Sequence, residues 1–413
     1  MLSRLLQNSP NLTEIYLNRI SNEGLMQMAA HCGLSLRIIE AQVNDDSFEA
    51  IKRICQACTN LTLLDLYYFN DEVSDDFILA PIQYCPLVEV LPTRSIRLTD
   101  ATLNGMASIH TLKQLRISGD FESAAVQRAL QSNPGLTLIS IDKTDNIDDA
   151  LVGCVGRYCG SLTSLKLLGE QSLTLNNETL LMLFHGCPLL ESLELYLQGG
   201  VSNVALRALF ESCHNLQVLL LCKGDSNPTA VQSLTSEPVL TAPYPSLAQL
   251  RIISDGTIDN QAFRDIFTYC LNLEGVDLRR GIQVTDKLIK LLVSNCRKIE
   301  FLNLALCLNV TVTGILQLAT RCTSLTTLNL FVMPMNDEIL IQLSLTCRKL
   351  IRLNIFNCYG GRITEAGIRA IAEACTSLSC FNLGGTTAAT LDPTLDVAKL
   401  ERLYPRIRFD IRR

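Results

Sequence analysis

The 413-residue sequence has no tryptophan, only four histidines and a charged fraction of only 18%. It has no run of about 18 apolar residues, which excludes a membrane-spanning helix. The net charge of −6 is carried by scattered residues, so no long basic stripe is present to follow a phosphate backbone. We therefore expect neither nucleic acid nor a membrane as partner. Apolar residues make up 48% of the chain, which is typical of a folded protein with a large core.

Signals for secretion and for chemistry are also missing. The first residues lack the basic, apolar and cleavage regions of a signal peptide, so we expect the seventeen cysteines to lie in a reducing compartment, the cytosol or nucleus. Cys55 and Cys58 have the spacing of metal ligands, but no second pair matches them. The four histidines are dispersed near helix ends, where they favour the helix dipole. We expect no metal, no cofactor and no enzymatic activity.

What the sequence does contain is one string, Cys-x-x-Leu-x-x-Leu-x-Leu, repeated along its length. Clean copies begin at Cys270, Cys296 and Cys322, 26 residues apart. Further copies begin at Cys58, Cys85, Cys159, Cys187, Cys213, Cys347 and Cys375, and copies without the first cysteine begin at Leu12, Leu112, Leu136 and Leu247. A copy near Cys32 is displaced by one residue. The chain thus holds about fifteen repeats. We call the cysteine that opens the string the phase cysteine, and expect it to pack as a small buried apolar side chain.

Each repeat combines a strand signal with a helix signal. The alternation at the end of the string is typical of a short strand with one buried face. Eleven positions before the phase cysteine stands a residue type that caps helices: Ser47, Ser74, Asp148, Asn176, Ser202, Asp259, Thr285, Thr311, Asn336 and Thr364. Apolar residues around the cap, such as Val284 and Ile289, form a hydrophobic staple. We therefore predict an α/β fold, a right-handed leucine-rich-repeat solenoid, or horseshoe, with a concave parallel sheet and convex helices.

The two ends of the chain carry different expectations. Residues 1–399 are predicted to form the repeat array, and the charged, aperiodic residues 400–413 a capping segment. The long spacing between Leu216 and Leu247 contains turn formers and predicts a loop that bulges from the array. The chain begins inside a repeat, which suggests a truncated or lost segment before it.

The string and its period, with Cys307 and Cys358 in a second cysteine phase, resemble the cysteine-containing class of leucine-rich repeats. Over essentially the whole chain the pattern looks most like the repeat region of F-box/leucine-rich-repeat proteins. The resemblance implies a substrate receptor of an SCF-type ubiquitin ligase, in which the F-box holds a Skp-type adaptor and the repeats hold the target. The family's F-box precedes the repeats, and no such segment precedes Leu12. Adaptor binding is therefore expected only if an F-box exists upstream.

Two other classes stay open. A free-standing repeat scaffold or adaptor without ligase function is the alternative. An activator of small GTPases, which also uses leucine-rich repeats, is less favoured because its repeats lack the phase cysteine.

A protein target is predicted to bind on the concave face. If the strand leucines are buried, the residues between them face outward and form rows across the sheet. One row reads Asp277, Asn303, Asn329, Asn354 and Asn382. The next row contains Phe331 and Phe356, and Phe301 lies upstream of Asn303; exposed aromatic side chains beside a polar row are typical of an interface. In the alternative interpretation the amides only satisfy one another and the phenylalanines fold into the core. A second candidate surface comprises Tyr16, Leu63, Asp65 and Tyr67.

Overall fold

The computed structural model describes residues 6–9, 11–44, 46–67, 76–91, 93, 98–119, 121–142, 144–169, 173–223, 237–253, 257–385, 391–392 and 394–410. The chain forms two compact parts, which we call the N-terminal block (residues 1–196) and the C-terminal block (residues 197–413). The division falls inside one strand of the repeat pattern, since the strand Ser192–Leu197 spans it. None of the described helices combines the length and the apolar character that crossing a membrane requires.

In the N-terminal block, short parallel strands alternate with helices. The described strands are β1 (Glu14–Leu17), β2 (Ile38–Gln42), β3 (Leu63–Tyr67), β4 (Gln114–Ser118), β5 (Leu138–Asp142), β6 (Ser164–Leu168) and β7 (Ser192–Leu197). The described helices are α1 (Asn22–His31), α2 (Phe48–Ala57), α3 (Asp76–Tyr84), α4 (Asp100–Met106), α5 (Ser123–Ser132), α6 (Asp149–Tyr158) and α7 (Asn177–Gly186), and a short 3-10 helix spans Gly33–Ser35. Strands β1 to β3 pair in sequence order, and so do β4 to β7.

The C-terminal block continues the same alternation with shorter strands. Its described strands are β8 (Val218–Lys223), β9 (Gln249–Ile253), β10 (Gly275–Asp277), β11 (Phe301–Asn303), β12 (Thr327–Asn329), β13 (Arg352–Asn354), β14 (Cys380–Asn382) and β15 (Arg408–Asp410). Its described helices are α8 (Asn203–Ser212), α9 (Asn260–Tyr269), α10 (Asp286–Asn295), α11 (Val312–Ala319), α12 (Asp337–Thr346), α13 (Glu365–Ala374) and α14 (Val397–Leu403). Strands β8 to β15 pair in sequence order, with all described pairings parallel.

The buried strand leucines lie side by side, as the repeat predicts. Leu302 pairs with Leu328, and Leu328 pairs with Leu353, on three neighbouring strands. All three side chains are buried. Every predicted copy of the string yields a described strand except the copy at Cys85, where Val90 makes only an isolated bridge to Leu63. The strand alternation therefore defines the sheet, and its apolar face forms the core.

The predicted helix caps are confirmed at most positions. The side chain accepts a first-turn backbone N–H at Asp148, Asn176, Ser202, Asp259, Thr311, Asn336 and Thr364. Ser47 and Thr285 also occupy the N-cap position, but without such a bond. Ser74 lies outside the described residues. Because each cap supplies an acceptor to an orphan N–H, the same start signal fixes the helix start in successive repeats.

Acidic residues at helix starts connect neighbouring repeats. Asp286 accepts both the backbone N–H and the hydroxyl of Thr311, at 2.8 and 2.6 Å. Asp337 makes the same two bonds to Thr364, at 2.9 and 2.7 Å. These aspartates therefore favour their own helix dipole and also hold the cap of the next repeat.

The phase cysteines are buried between repeats, and all seventeen cysteines of the chain are free thiols. Five phase thiols point at the carbonyl oxygen of the preceding phase cysteine: Cys85 to Cys58 at 3.9 Å, Cys187 to Cys159 at 3.6 Å, Cys296 to Cys270 at 3.4 Å, Cys347 to Cys322 at 3.1 Å and Cys375 to Cys347 at 3.4 Å. Burial raises the pKa to about 12 at Cys58, Cys159, Cys213, Cys296 and Cys322, and to about 11 at Cys375. The prediction of packing rather than chemistry is thus supported, and the thiol adds a weak hydrogen bond.

At two positions where the phase cysteine is missing, a polar side chain bonds to the preceding repeat. Tyr244 stands at the phase position of the copy at Leu247, and its hydroxyl donates to the Cys213 carbonyl while accepting the N–H of Leu216. Asn133 stands at the phase position of the copy at Leu136 and accepts the N–H of Leu112. Both replacements are buried. At these positions a hydrogen bond to the preceding repeat accompanies the packing, whereas Ile109, at the phase position of the copy at Leu112, packs as an apolar side chain.

Helices α6 and α7 approach each other most closely through glycine. A Cβ at Gly186 would lie 1.7 Å from the carbonyl oxygen of Gly156, and a Cβ at Gly156 would lie 2.6 Å from the carbonyl oxygen of Met182. Real Cβ atoms do not tolerate such distances to a backbone. The close packing of these two helices therefore depends on the absence of both side chains.

The predicted capping segment, as far as it is described, contains a further strand. Strand β15 pairs with β14, and Phe409 lies beside Phe381 at a ring-centroid distance of 6.1 Å. Helix α14 is thus followed by β15, which is the edge strand of the sheet.

Candidate functional site

The predicted polar row exists as a continuous row across the C-terminal block. Asp277, Asn303, Asn329, Asn354 and Asn382 are successive partners on neighbouring strands. Asp410 on β15 extends the row by one position, because it pairs with Asn382. We call the side of β8 to β15 that carries this row, opposite the buried leucines, the exposed sheet face. The prediction missed Asp410 because residues 400–413 carry no repeat string.

Each member of the row has a structural function on its own strand. The side-chain Oδ1 atoms of Asp277, Asn303, Asn329, Asn354 and Asn382 accept the backbone N–H two residues further on, at 3.0 to 3.2 Å. This bond closes the turn that follows the strand. One contact joins two members directly, since Asn354 Nδ2 donates to Asn329 Oδ1 at 3.0 Å. The alternative interpretation, in which the row serves the fold, therefore holds for the oxygen atoms.

The turn after these strands requires an unusual backbone. Arg280, Leu306, Val332 and Asn357 have φ between 55° and 61°, although none is glycine. The N–H of each donates to a carbonyl of the next repeat, at 2.8 to 3.0 Å. Left-handed conformations of this kind cost roughly 1 kcal/mol per residue. Neighbouring repeats therefore hold these residues in place, and Phe331 and Phe356 directly precede two of them.

Two of the three predicted phenylalanines come together. The rings of Phe331 and Phe356 stack with centroids 5.6 Å apart and planes 19° apart, and both side chains are half-buried. A Cβ at Gly385 would lie 2.6 Å from the Phe356 ring, so the stack ends against this glycine. Phe301 is also half-buried, but within the described residues it makes no ring contact with either. The predicted patch is thus a stacked pair plus one separate ring.

An ion pair occupies one end of the row. Arg279 Nη2 lies 2.6 Å from Asp277 Oδ2, and the carboxylate is buried while the arginine is nearly half exposed. The hydrogen bonds that Arg279 donates to Asp277 raise the pKa of the guanidinium further above its ordinary value. The negative charge of Asp277 is therefore paired with Arg279 and is not available to a partner.

Three exposed arginines on this face were missed by the sequence reasoning. Arg251, Arg352 and Arg408 are exposed, and no ion pair among the described residues involves any of them. Arg352 and Arg408 flank the half-exposed Cys380 on the two neighbouring strands. The signal was present in the sequence, because each arginine stands at an outward strand position, but it becomes visible only once the strand register is known.

An apolar rim follows the turns at the carboxyl ends of the strands. Ile282, Leu308 and Tyr359 occupy equivalent positions in their repeats and are 46%, 54% and 42% exposed. In the repeat between them this position holds Pro334, which bridges to Tyr359. The exposed sheet face therefore combines polar, cationic and apolar parts.

The second candidate, in the N-terminal block, is polar and open. Tyr16 and Asp65 lie on either side of Glu40 in the strand register, and Tyr16 is 59% exposed. Tyr16 lines an open cavity of about 540 Å³ together with Leu17, Asn18, Glu40 and Gln42. Leu63 is half-buried and Asp65 is buried, while the side chain of Tyr67 lies outside the described residues. The strand register therefore brings Tyr16 and Asp65 to one face.

Within the described part of the chain, no group of three or more His, Cys, Asp or Glu side chains is arranged to hold a metal ion. Cys55 and Cys58 are buried, and the backbone carbonyls of both accept the thiol of Cys85. His31 and His185 lie in the last turns of their helices. Cys55 and Cys58 are therefore packed against the next repeat, and His31 and His185 lie where a histidine can favour the helix dipole.

These observations define the chain as a leucine-rich-repeat solenoid with an α/β architecture: parallel strands in sequence order, capped helices between them and a buried ladder of leucine and cysteine. No protein-family model matches the sequence, and no curated protein matches it. Solved structures do match it. A chain of the yeast Rad7 and Elc1 complex aligns with a TM-score of 0.50 and 18% identity over 87% of this chain and 83% of its own.

Two bacterial structures also align. A leucine-rich-repeat protein of Leptospira interrogans aligns with a TM-score of 0.45 and 13% identity over 97% of this chain and 90% of its own. An internalin of Listeria monocytogenes aligns with a TM-score of 0.37 and 11% identity over 99% and 88%. At these identities the comparisons concern the fold alone, and the yeast structure carries that argument.

Proposed function

We propose that this chain is a protein-interaction module, the substrate-binding region of an SCF-type ubiquitin-ligase receptor, without enzymatic activity of its own. The observation that carries the interaction part is the exposed sheet face, where a half-buried aromatic stack lies beside a polar row and unpaired arginines. Aromatic and arginine side chains are enriched at protein interfaces, and most of the binding energy usually comes from a few of them.

The ligase part of the proposal comes from the repeat class. The phase cysteine and the second phase of Cys307 and Cys358 resemble F-box/leucine-rich-repeat proteins, and both phases have a consistent structural function. The Cys307 thiol points at the Leu278 carbonyl at 3.0 Å, and the Cys358 thiol points at the Leu330 carbonyl at 3.1 Å. The yeast chain of similar fold belongs to a complex with a second protein, Elc1. A repeat receptor that works beside an adaptor fits this picture.

We place the protein in the cytosol or nucleus. The seventeen free cysteines support this location, because fifteen of them are buried thiols that hold no disulfide in the folded chain. A reducing compartment keeps such thiols available during folding.

The interaction part is tested by Phe331→Asp combined with Phe356→Asp. We expect proximity labelling in the native cell to recover the targets of the wild type and to lose them with the double variant. The control is Ile341→Asp with Leu345→Asp, two exposed apolar residues on helix α12, on the other side of the repeats. Both variants must show wild-type circular dichroism. Unchanged target recovery with the phenylalanine variant would remove the stack from the interface.

The ligase part is tested with the protein produced from its full transcript. We expect a Skp-type adaptor to co-purify with it, and ubiquitin conjugates of the captured targets to decrease when the phenylalanine variant replaces the wild type. If the targets are captured but no adaptor co-purifies and their ubiquitin conjugates do not change, the chain acts as the free-standing scaffold instead.

A further inference from the structure

Hydrogen bonding within the polar row leaves mostly donors for a partner. The Oδ1 atoms of Asn329 and Asn382 already accept backbone N–H groups, which also fixes the orientation of both amides. Within the described residues, the Nδ2 groups of these two asparagines have no protein acceptor. A side-chain amide normally offers both a donor and an acceptor. Here the acceptor is used by the fold, so the half-buried amides present N–H groups to the outside.

The free charges next to these amides are positive. Arg352 on β13 and Arg408 on β15 are exposed and form no ion pair with the described residues. They are two strands apart in one row, which corresponds to roughly 10 Å along the sheet. Asp410 is half-buried, and it is the one carboxylate among the described residues of this face from β12 to β15. Two cations spread over this distance favour a partner with several carboxylates over a single small anion.

The aromatic stack lies directly beside this donor-rich area. Phe331 and Phe356 follow Asn329 and Asn354 by two residues, in the turns after the neighbouring strands β12 and β13. At the other end of the face Arg251 on β9 is also exposed, but among the described residues no aromatic stack lies beside it. The cationic and aromatic features therefore coincide only between β12 and β15.

We propose that the exposed sheet face from β12 to β15 binds an acidic segment of a protein target, with carboxylates at Arg352 and Arg408 and an apolar side chain on the Phe331–Phe356 stack. The inference rests on the proposed interaction function and adds the chemistry of its partner. Backbone carbonyls of the segment are acceptors for the free amide N–H groups of Asn329 and Asn382. A protein segment fits better than a nucleic acid, because the whole chain carries a net charge of −6 and no long basic stripe.

The test uses the intact protein and fluorescein-labelled peptides of about ten residues, longer than the roughly 15 Å across four strands. Each peptide has one leucine in a glycine-serine background and several residues of one type: glutamate, glutamine or lysine. Fluorescence anisotropy measures their dissociation constants at low and at physiological salt. We expect the glutamate peptide to bind more tightly than the glutamine peptide, and the lysine peptide to bind most weakly.

Charge reversal supplies the matched comparison. We expect Arg352→Glu with Arg408→Glu to weaken the binding of the glutamate peptide by about tenfold or more, because two charge-assisted contacts become repulsive. The same variant should bind the lysine peptide more tightly than the wild type does. Lys287→Glu with Lys290→Glu on helix α10 changes the net charge equally away from the face and should leave both affinities unchanged. Circular dichroism confirms that both variants fold.

Three results would overturn the proposal: no preference for glutamate, a preference unaffected by reversal of the two arginines, or tighter binding of a single-stranded oligonucleotide of similar length. The outcome is separable from the proposed function. Loss of target capture by the phenylalanine variant without any glutamate preference keeps the interaction surface and rejects the acidic partner. A glutamate preference that depends on the arginines, with normal capture by the phenylalanine variant, keeps the acidic site and rejects the aromatic stack as the target anchor.

Discussion

At the residue scale, cysteine acts in this chain as a small apolar side chain that also donates a weak hydrogen bond. The thiols of Cys296 and Cys375 point at the preceding phase carbonyls, whereas Tyr244 makes the equivalent bond with a hydroxyl. A polar hydrogen at this position gives the preceding phase carbonyl a further donor, because the Cys213 and Cys347 carbonyls already accept the backbone N–H groups of Leu216 and Leu350. Replacement of the cysteine by tyrosine or asparagine is therefore tolerated where the added volume can be accommodated.

Native thiol labelling should separate two cysteines from the rest. Cys222 and Cys380 are half-exposed, and the other fifteen cysteines are buried. We expect iodoacetamide to modify Cys222 and Cys380 in the folded protein within minutes and the phase cysteines only after unfolding, because reaction requires an accessible thiolate. Peptide mass spectrometry measures the modified sites. Equal labelling of Cys296 and Cys380 under native conditions would contradict the packing described.

The row asparagines should contribute measurably to stability. Asn329→Ala removes the acceptor for the Phe331 N–H and for Asn354 Nδ2, and we expect a loss of about 1 to 2 kcal/mol in the free energy of unfolding. Thr327→Ala, on the same strand, removes no hydrogen bond among the described residues and should cost less than about 0.5 kcal/mol. Urea unfolding followed by circular dichroism compares the two. Equal losses would mean that the amide does not support the turn.

At the element scale, the strands and helix starts were predictable because their signals are local. The alternation around Leu302, the cap at Thr311 and the staple around it each specify one short element without reference to distant residues. The prediction failed at the copy that begins at Cys85. There Pro92 follows the leucine, and a proline has no N–H to donate to a strand ladder. Only an isolated bridge at Val90 remains.

The candidate site was less predictable than the elements. The row from Asp277 to Asn382 followed from the repeat period, yet the use of its oxygen atoms did not, because that bond depends on the turn beyond the strand. The rings of Phe331 and Phe356 stack, with Phe301 left apart, in turns whose next residues, Val332 and Asn357, are left-handed. Among the four left-handed residues only Asn357 is of a type that favours a positive φ, and Arg280, Leu306 and Val332 give no such signal in the sequence. Backbone geometry of this kind becomes visible only in three dimensions.

Helices α6 and α7 offer a matched pair of substitutions. Gly156→Ala places a Cβ 2.6 Å from a backbone oxygen of α7, so we expect it to lower the free energy of unfolding by about 2 kcal/mol or more. Gly153→Ala, one turn earlier, meets only the flexible Met182 Sδ at 3.4 Å and should be neutral or stabilising by up to about 1 kcal/mol, as expected for alanine in a helix. Thermal unfolding of both variants shows whether each substitution lowers or raises the stability. A destabilised Gly153→Ala or a neutral Gly156→Ala would contradict this close approach.

At the scale of the whole molecule, many buried thiols give the folded state a common response to pH. Burial raises the pKa of Cys58, Cys159, Cys296 and Cys322 from the ordinary 9.0 to about 12. Below pH 9.0 both the folded and the unfolded chain keep these protons, so the thiols do not change stability with pH. Above it the unfolded chain releases protons that the folded chain retains, which favours unfolding.

The free energy of unfolding should therefore be insensitive to thiol titration up to about pH 8.5 and fall steeply as the pH rises from 9.0 toward 12. Each buried thiol contributes up to about 1.4 kcal/mol per pH unit in that window. Urea midpoints measured across this pH range test the expectation. Cys222→Ser with Cys380→Ser should show the same decline, since neither thiol is buried, and a stability that stays flat to about pH 11 would contradict it.

The bonds between neighbouring repeats also bear on how such a gene can change length. The Cys296 thiol points at the Cys270 carbonyl, 26 residues earlier, and Cys322 stands at the same place one repeat later. Deletion of residues 296–321 would bring Cys322 to the Cys270 carbonyl and Asn329 beside Asp277, so both of these contacts between repeats would form again. Asn336 would replace Thr311 beside Asp286, where it has a backbone N–H but no hydroxyl to donate. Duplication or loss of one whole repeat thus preserves the thiol contact and the polar row, and it lengthens or shortens the surface offered to a target in steps of roughly 5 Å.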